Sequence, residues 1–211
     1  MSTIVRAVAL LALSATVVSA QGNPACRSVA GNLVQNCSFE VPTIPPGATW
    51  PNAPMEAWTS SDGLYERWVS GFSGFHSRDG ISHAELNVNA PTTLSQYLAT
   101  SVGQRYQLFF SASHRSGGSA HFSQIDVFVD GVFVTSTGQL TNSLQWFDFT
   151  DSFVATSAHS RIEFRGQGSG SYGNHLDNVT VAATVPEPSA AALLLIGGVL
   201  VAGARRRRAT R

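Results

Sequence analysis

Residues 125–134 read Ile-Asp-Val-Phe-Val-Asp-Gly-Val-Phe-Val, two alternating runs of β-branched and aromatic residues on either side of Asp130-Gly131. Asp-Gly suits the two positive φ angles of a type I′ turn, so the segment predicts an antiparallel hairpin. The same pattern continues from Asn32 to Ala183. Further strands are predicted over Asn32–Val41, Leu64–Val69, His83–Val88, Thr92–Ala99, Arg105–Ser113, Leu144–Phe153, Arg161–Arg165 and His175–Ala182, with Gly166–Gly173 a flexible Gly-Ser loop. No apolar period of 3.6 residues lasts long enough for a substantial helix. About ten strands with short connections predict an all-β sandwich, and roughly 160 residues can bury its core without a metal or several disulfides.

The ends read differently from this body. Arg6, the apolar run Ala7–Val18 and the small residues Val18-Ser19-Ala20 form the three parts of a secretory signal peptide, with cleavage after Ala20. The chain has 13 Arg, no Lys and 13 acids, a formal charge of zero. Six of the Arg but only one acid, Glu187, lie in the terminal segments, so residues 21–185 hold seven Arg against twelve acids. An acidic body lacks the basic footprint that nucleic-acid binding requires. Cys26 and Cys37 are the only cysteines. An even pair in an exported chain favours a disulfide, two buried thiols being the alternative.

Residues 186–211 contain three blocks. Pro186-Glu187-Pro188-Ser189 cannot be regular helix or central strand, because proline lacks an N–H and fixes φ. Ala190–Ala204 is uncharged and apolar apart from three glycines; as a helix it rises about 22 Å, a little short of the roughly 30 Å hydrocarbon core. Arg205, Arg206, Arg207 and Arg208 then stop transfer and stay cytoplasmic. In order and spacing this tail resembles the PEP-CTERM sorting signal. The resemblance implies a membrane-held precursor cleaved near Pro186-Glu187-Pro188 by an exosortase, then placed at the cell surface or released. A permanent anchor behind a Pro-rich linker is the alternative.

Asn32-Leu33-Val34-Gln35-Asn36-Cys37-Ser38-Phe39-Glu40, His83-Ala84-Glu85-Leu86-Asn87, Leu94–Thr100, Gly103-Gln104-Arg105-Tyr106 and Leu176–Val181 follow one another in an order that resembles galactose-binding-like jelly-roll domains. The nearest form is the version of unknown function that accompanies PEP-CTERM tails. The resemblance implies a jelly roll over most of residues 31–183. It also places Glu40 and Asp177 at the ends of neighbouring first and last strands, where several relatives hold a structural Ca²⁺ with backbone carbonyls. Two carboxylates are only part of the six to eight oxygens calcium takes, and carboxylates there can equally accept turn N–H bonds.

The remaining candidates concern sugar. Tyr65-Glu66-Arg67-Trp68, ahead of a Gly-rich loop, offers planar rings beside charged groups, the combination that stacks and hydrogen-bonds a sugar ring. His114-Arg115 opens a polar loop and either contacts an anionic polymer or pairs with an acid of the fold. Tyr97, Tyr106 and Trp146 fall inside strand patterns and are read as core. No Gly-x-Ser-x-Gly elbow, no His-Glu-x-x-His and no metal-ligand spacing among the six histidines supports an enzyme. The organisation expected is a signal peptide (1–20), a galactose-binding-like sandwich (21–185) and a sorting tail (186–211). The function expected is non-catalytic binding of carbohydrate or exopolysaccharide outside the cell. An adhesive matrix protein that binds other proteins is the alternative.

Overall fold

The computed structural model describes residues 25–44, 49–51, 54–115, 124–141, 145–168 and 170–184. The signal peptide with its Ala20 cleavage point, the motif Pro186-Glu187-Pro188, the apolar segment and Arg205–Arg208 lie outside the described residues. Among those described, no helix is long and apolar enough to cross a membrane.

Among the described residues, eleven strands form two antiparallel sheets. In chain order they are β1 (Thr49–Pro51), β2 (Thr59–Ser60), β3 (Glu66–Val69), β4 (Ser82–Glu85), β5 (Thr93–Ala99), β6 (Arg105–His114), β7 (Ile125–Val129), β8 (Val132–Ser136), β9 (Phe147–Val154), β10 (His159–Gly166) and β11 (Asn174–Ala183). One sheet runs β1-β3-β4-β11-β6-β9 and the other β2-β5-β10-β7-β8. Sequence neighbours are repeatedly split between sheets, as a jelly roll requires. The hairpin about Asp130-Gly131 forms with φ of 51° and 78°, pairing Val129 with Val132.

Inward positions of the two sheets close the core. Leu94 and Leu98 of β5, Leu108 and Phe110 of β6, Ile125 and Val127 of β7, Ile162 and Phe164 of β10, and Leu176, Val179 and Val181 are all buried. Tyr106 belongs to this core and stacks on Phe153 at 5.6 Å. Tyr97 does not: alternation along β5 turns Leu94, Gln96 and Leu98 inward and leaves Tyr97 69% exposed. Trp146 is half-buried on the outer side of the six-stranded sheet rather than in the core.

The first predicted strand, Asn32–Val41, is not a strand. Asn36 and Phe39 have φ of 47° and 56°, which no strand accommodates. The segment is tied to β11 at separated points instead: Leu33 N donates to Val181 O, Val179 N to Cys37 O, and Val181 N to the Asn32 carboxamide. Cys26 and Cys37 are joined by a disulfide, which closes this segment on itself. Strands β1 and β2 were not expected; at three and two residues they are too short to show a pattern.

Candidate functional site

The central strands of the six-stranded sheet put charged and ring-bearing residues on its outer face. Cross-strand register sets Glu66, Glu85, His175 and Ser113 in one row over β3, β4, β11 and β6, with Trp68 opposite His83 beside it. Such positions normally face water. Here the segment after β3 and the approach to β9 cover them. Phe72 meets Trp68 edge-on at 4.8 Å, and Phe75 stacks on Trp146 at 5.0 Å while touching His83 and His175 at 5.1 and 4.8 Å. Trp146 Nε1 donates to His76 O at 2.7 Å, which fixes the cover.

Arg115, the residue following β6, joins this cluster to the surface. Its guanidinium carbon lies 5.1 Å from the Trp68 ring and 4.6 Å from the Tyr172 ring, a cation–π contact on each side. Nη1 donates to Glu85 Oε1 at 2.6 Å and to Ser171 O at 2.7 Å. Glu85 Oε1 also accepts from Gly173 N at 2.9 Å, and Trp68 Nε1 donates to Glu66 Oε1 at 3.1 Å. Arg115 therefore fixes both the β6 end and the loop that carries Tyr172. Tyr172 is 47% exposed and forms the outer limit of the cluster.

Burial dominates the titration of these groups. It pushes the Glu85 carboxyl up to about 8, with the Glu66 charge adding to it and Arg115 opposing. Glu66 is raised too, again by burial against the pull of Arg115 and of the Trp68 hydrogen bond. Two such carboxyls facing one another share a proton rather than both ionise. Burial pushes His83 down to about 3, and burial followed by the charges of His83, Arg115 and His114 holds His175 well below its ordinary value. Both imidazoles are neutral at ordinary pH. Buried Glu85 Oε2, His83 Nε2, His114 Nδ1, His175 Nδ1 and the Asn174 amide have no hydrogen-bond partner among the described residues.

A stability profile follows with a definite sign. Glu85 titrates at 4.5 unfolded and about 8 folded, so its stabilising proton is fully present below 4.5 and lost as pH rises through about 8. Above about pH 7 the two histidines are mostly neutral in both states and oppose this trend only weakly. From pH 7 to 8 the unfolding free energy is therefore expected to drop by about 1 kcal/mol, the limiting slope of about 1.4 kcal/mol per unit for one proton falling off as pH reaches the folded value. Denaturant melts across that range measure it, and Glu85→Gln should reduce the slope, leaving the smaller share that the raised carboxyls of Glu66 and Asp177 contribute with the same sign. An unchanged slope in the variant assigns the titration to another group.

Of the residues marked from sequence, Glu66, Trp68 and Arg115 come together in this cluster. His114 ends β6 beside it, opposite Asn174. Tyr65 does not join: neighbouring strand positions point to opposite faces, and its hydroxyl bonds to Trp58 O and Ser60 N near the five-stranded sheet. Sequence reasoning missed Glu85, His83 and His175, since alternation shows no outer face where both faces are buried. Tyr172 is one of several aromatics whose faces could stack on a sugar, and only the fold, which brings its ring to Arg115, sets it apart. A second presented ring is Tyr97, beside a groove of about 450 Å³ lined by Gln35, Thr59, Ser95, Gln96 and Arg161.

Glu40 and Asp177 are engaged by donors. Asp177 lies at a bulge inside β11, not at a strand end, and accepts from Arg78 N, Asp79 N, Asn178 N and Ser38 Oγ at 2.7–3.0 Å. Glu40 Oε1 accepts from Ile81 N and Ser82 N. The fully buried guanidinium of Arg67 donates to Phe39 O and lies in the field of Glu40, already supplying positive charge there. N–H dipoles and a guanidinium stand where a cation would need oxygen lone pairs, so these residues do not fit a calcium ion. No group of three or more metal-ligating side chains occurs among the described residues.

The fold and this cluster define a jelly-roll sandwich with a charged aromatic site on one sheet. Residues 184–208 match the PEP-CTERM protein-sorting motif. No curated protein matches the chain. Among solved structures it is similar to TmCBM61, solved in complex with β-1,4-galactotriose, at 14% identity and a TM-score of 0.45 over 72% of this chain and 99% of that one. It is similar to a family 35 carbohydrate-binding module from Clostridium thermocellum at 13% identity and TM-score 0.44, over 65% of this chain and all of that one. The K2 cleaved adhesin domain of Lys-gingipain is similar at 13% identity and TM-score 0.45, with the same two coverages.

Proposed function

We propose that this chain is an exported, non-catalytic glycan-binding protein whose ligand seats on the Tyr172–Arg115 edge of the six-stranded sheet. The observation that carries the reading is the Arg115 guanidinium held between Trp68 and Tyr172 and anchored on Glu85. That arrangement offers a half-exposed ring for stacking and an oriented set of N–H donors beside it. The partner it suits is a hydroxyl-rich polysaccharide, the cell's own exopolysaccharide included. Hydrolysis is not supported by the acid pair, since Glu66 and Glu85 stand directly opposite one another on β3 and β4 and both are buried, which leaves no access for a glycosidic bond and a water.

Delivery follows from the ends. Residues 1–20 are removed after Ala20, residues 190–204 hold the precursor in the membrane with Arg205–Arg208 inside, and an exosortase-type protease cuts near Pro186-Glu187-Pro188. The detergent-solubilised full chain, run by affinity electrophoresis through gels containing neutral or acidic polysaccharides, tests the binding. At least one polysaccharide should retard it. Arg115→Ala and Tyr172→Ala should each weaken that retardation about tenfold or more, while Tyr97→Ala on the other sheet leaves it unchanged. Loss through Tyr97→Ala alone moves the site to the opposite face. No retardation by any glycan favours the adhesive reading.

A further inference from the structure

One end of the sandwich gathers both the chain's exit toward the sorting motif and a large part of its exposed apolar surface. β11 ends at Ala183, and Thr184 is still held: its N and Oγ1 donate to Arg105 O at 3.0 and 3.2 Å, and its carbonyl accepts from Gln104 Nε2 at 3.1 Å. The β5–β6 turn, the β9–β10 loop and the Asp130-Gly131 turn lie at this same end. Arg105 faces Val154, Ala99 faces His159, Gly103 N donates to Ala155 O, and Asp130 N donates to Arg161 O. In or next to these connections lie Val102 in the β5–β6 turn, Val132 and Phe133 at the start of β8 and Val154 at the end of β9, exposed by 70, 68, 56 and 44%. They are four of the eight large apolar side chains exposed among the described residues, and three of them border a groove of about 290 Å³ between β8 and β9. Single exposed valines need no explanation, but a group of four around one chain exit does.

The chain beyond the exit says what covers them. From Thr184 to Ala190, where the apolar run begins, the backbone spans at most about 20 Å even when fully extended. A surface tethered that closely meets this end at high effective concentration, ahead of any partner free in solution. We propose that in the precursor this end of the sandwich rests on the lipid bilayer, with Val102, Val132, Phe133 and Val154 at headgroup depth. The inference rests on the reading of residues 190–204 as membrane-inserted. It also orients the glycan site: His175 and Ala183 are eight residues apart on β11, so the Arg115 cluster stands about 25 Å further from the membrane, facing outward.

The test uses the full chain reconstituted in vesicles of phosphatidylethanolamine and phosphatidylglycerol. An environment-sensitive fluorophore is attached to Val102→Cys, Val132→Cys or, at the far end, Gln167→Cys, and doxyl-labelled lipids serve as quenchers. Labels at 102 and 132 should lose most of their emission to the quencher while the label at 167 keeps its own. Equal quenching at all three sites, or none at 102 and 132 in chains that float with the vesicles, overturns the proposal. So does emission at 102 and 132 that shifts on mixing labelled with unlabelled chain, which marks a contact between copies. Chains that fail to float show that residues 190–204 do not insert, and that removes the underlying reading together with this one. A Val102→Asp/Val132→Asp variant labelled at Gln104→Cys should float as before with its quenching lost; retained quenching counts against the apolar patch as the contact.

Discussion

Replacing Asp177 by Ala is expected to remove about 3–5 kcal/mol of stability, the cost of leaving several buried donors without an acceptor. Asp177 is fully buried and its two oxygens accept from three backbone N–H groups, of Arg78, Asp79 and Asn178, and from the Ser38 hydroxyl. Burial pushes its carboxyl above the usual range while these donors pull it back. The effect reaches beyond one contact. Asp79, positioned by Asp177, accepts from Cys26 N, and Ser38 follows the disulfide-bonded Cys37, so three segments distant in sequence are pinned on one carboxyl. Urea denaturation of the detergent-solubilised chain, followed by tryptophan emission, reads the loss. Asp177→Asn, which keeps an acceptor oxygen but turns an NH₂ toward the donors, should fall between wild type and Ala. A loss below about 1 kcal/mol in the Ala variant shows that these donors find other partners.

Gly173→Ala is the second large effect, and it links stability to binding. A Cβ on Gly173 would lie 2.9 Å from Asn87 Cβ and 3.1 Å from Asn87 Cα, and closer still to the Asn87 backbone nitrogen. Backbone cannot swing aside as a flexible side chain does, so the loop must move, at a cost of about 2–4 kcal/mol. That movement withdraws the Gly173 N–H from Glu85 and displaces Tyr172 from Arg115. Thermal unfolding and polysaccharide retardation should both fail together. Gly170 separates close packing from loop conformation: a Cβ there meets nothing within 4 Å, and only its φ of +79° is unfavourable. Gly170→Ala should therefore cost only about 1–2 kcal/mol and leave binding in place. If the two variants behave alike, the close approach at Asn87 is not what requires glycine.

Much of the sandwich is legible along the chain because the long strands are amphipathic or bounded by turn residues. The β7–β8 hairpin and strands β5, β6, β9, β10 and β11 fall within one to three residues of where alternation predicts them. The failure at Asn32–Val41 has a definite cause. Its Asn and Cys residues serve side-chain hydrogen bonds and a disulfide, which override the apolar alternation Leu33, Cys37, Phe39 that mimics a strand. For the site, pattern distinguished Tyr65-Glu66-Arg67-Trp68 as suited to sugar and left Arg115 open between an anionic polymer and an acid of the fold, which the structure supplies in Glu85. Pattern could not tell Tyr65 from Trp68, since that choice depends on which face of β3 turns outward.

By itself, then, the sequence determined the all-β class, the hairpin register, the cysteine pair and the sorting motif, because each depends on residues adjacent in the chain or on composition. Only the tertiary structure decided that Glu66, Trp68, Glu85, Arg115, Tyr172 and His175 form one cluster. They reach it from β3, β4, β11 and the ends of two loops, and strand order across a sheet leaves no trace in local spacing. The same order places the cluster at one end of β11 and the exit to the tail at the other. Strand pairing over long separations thereby sets where the protein binds relative to where it is held.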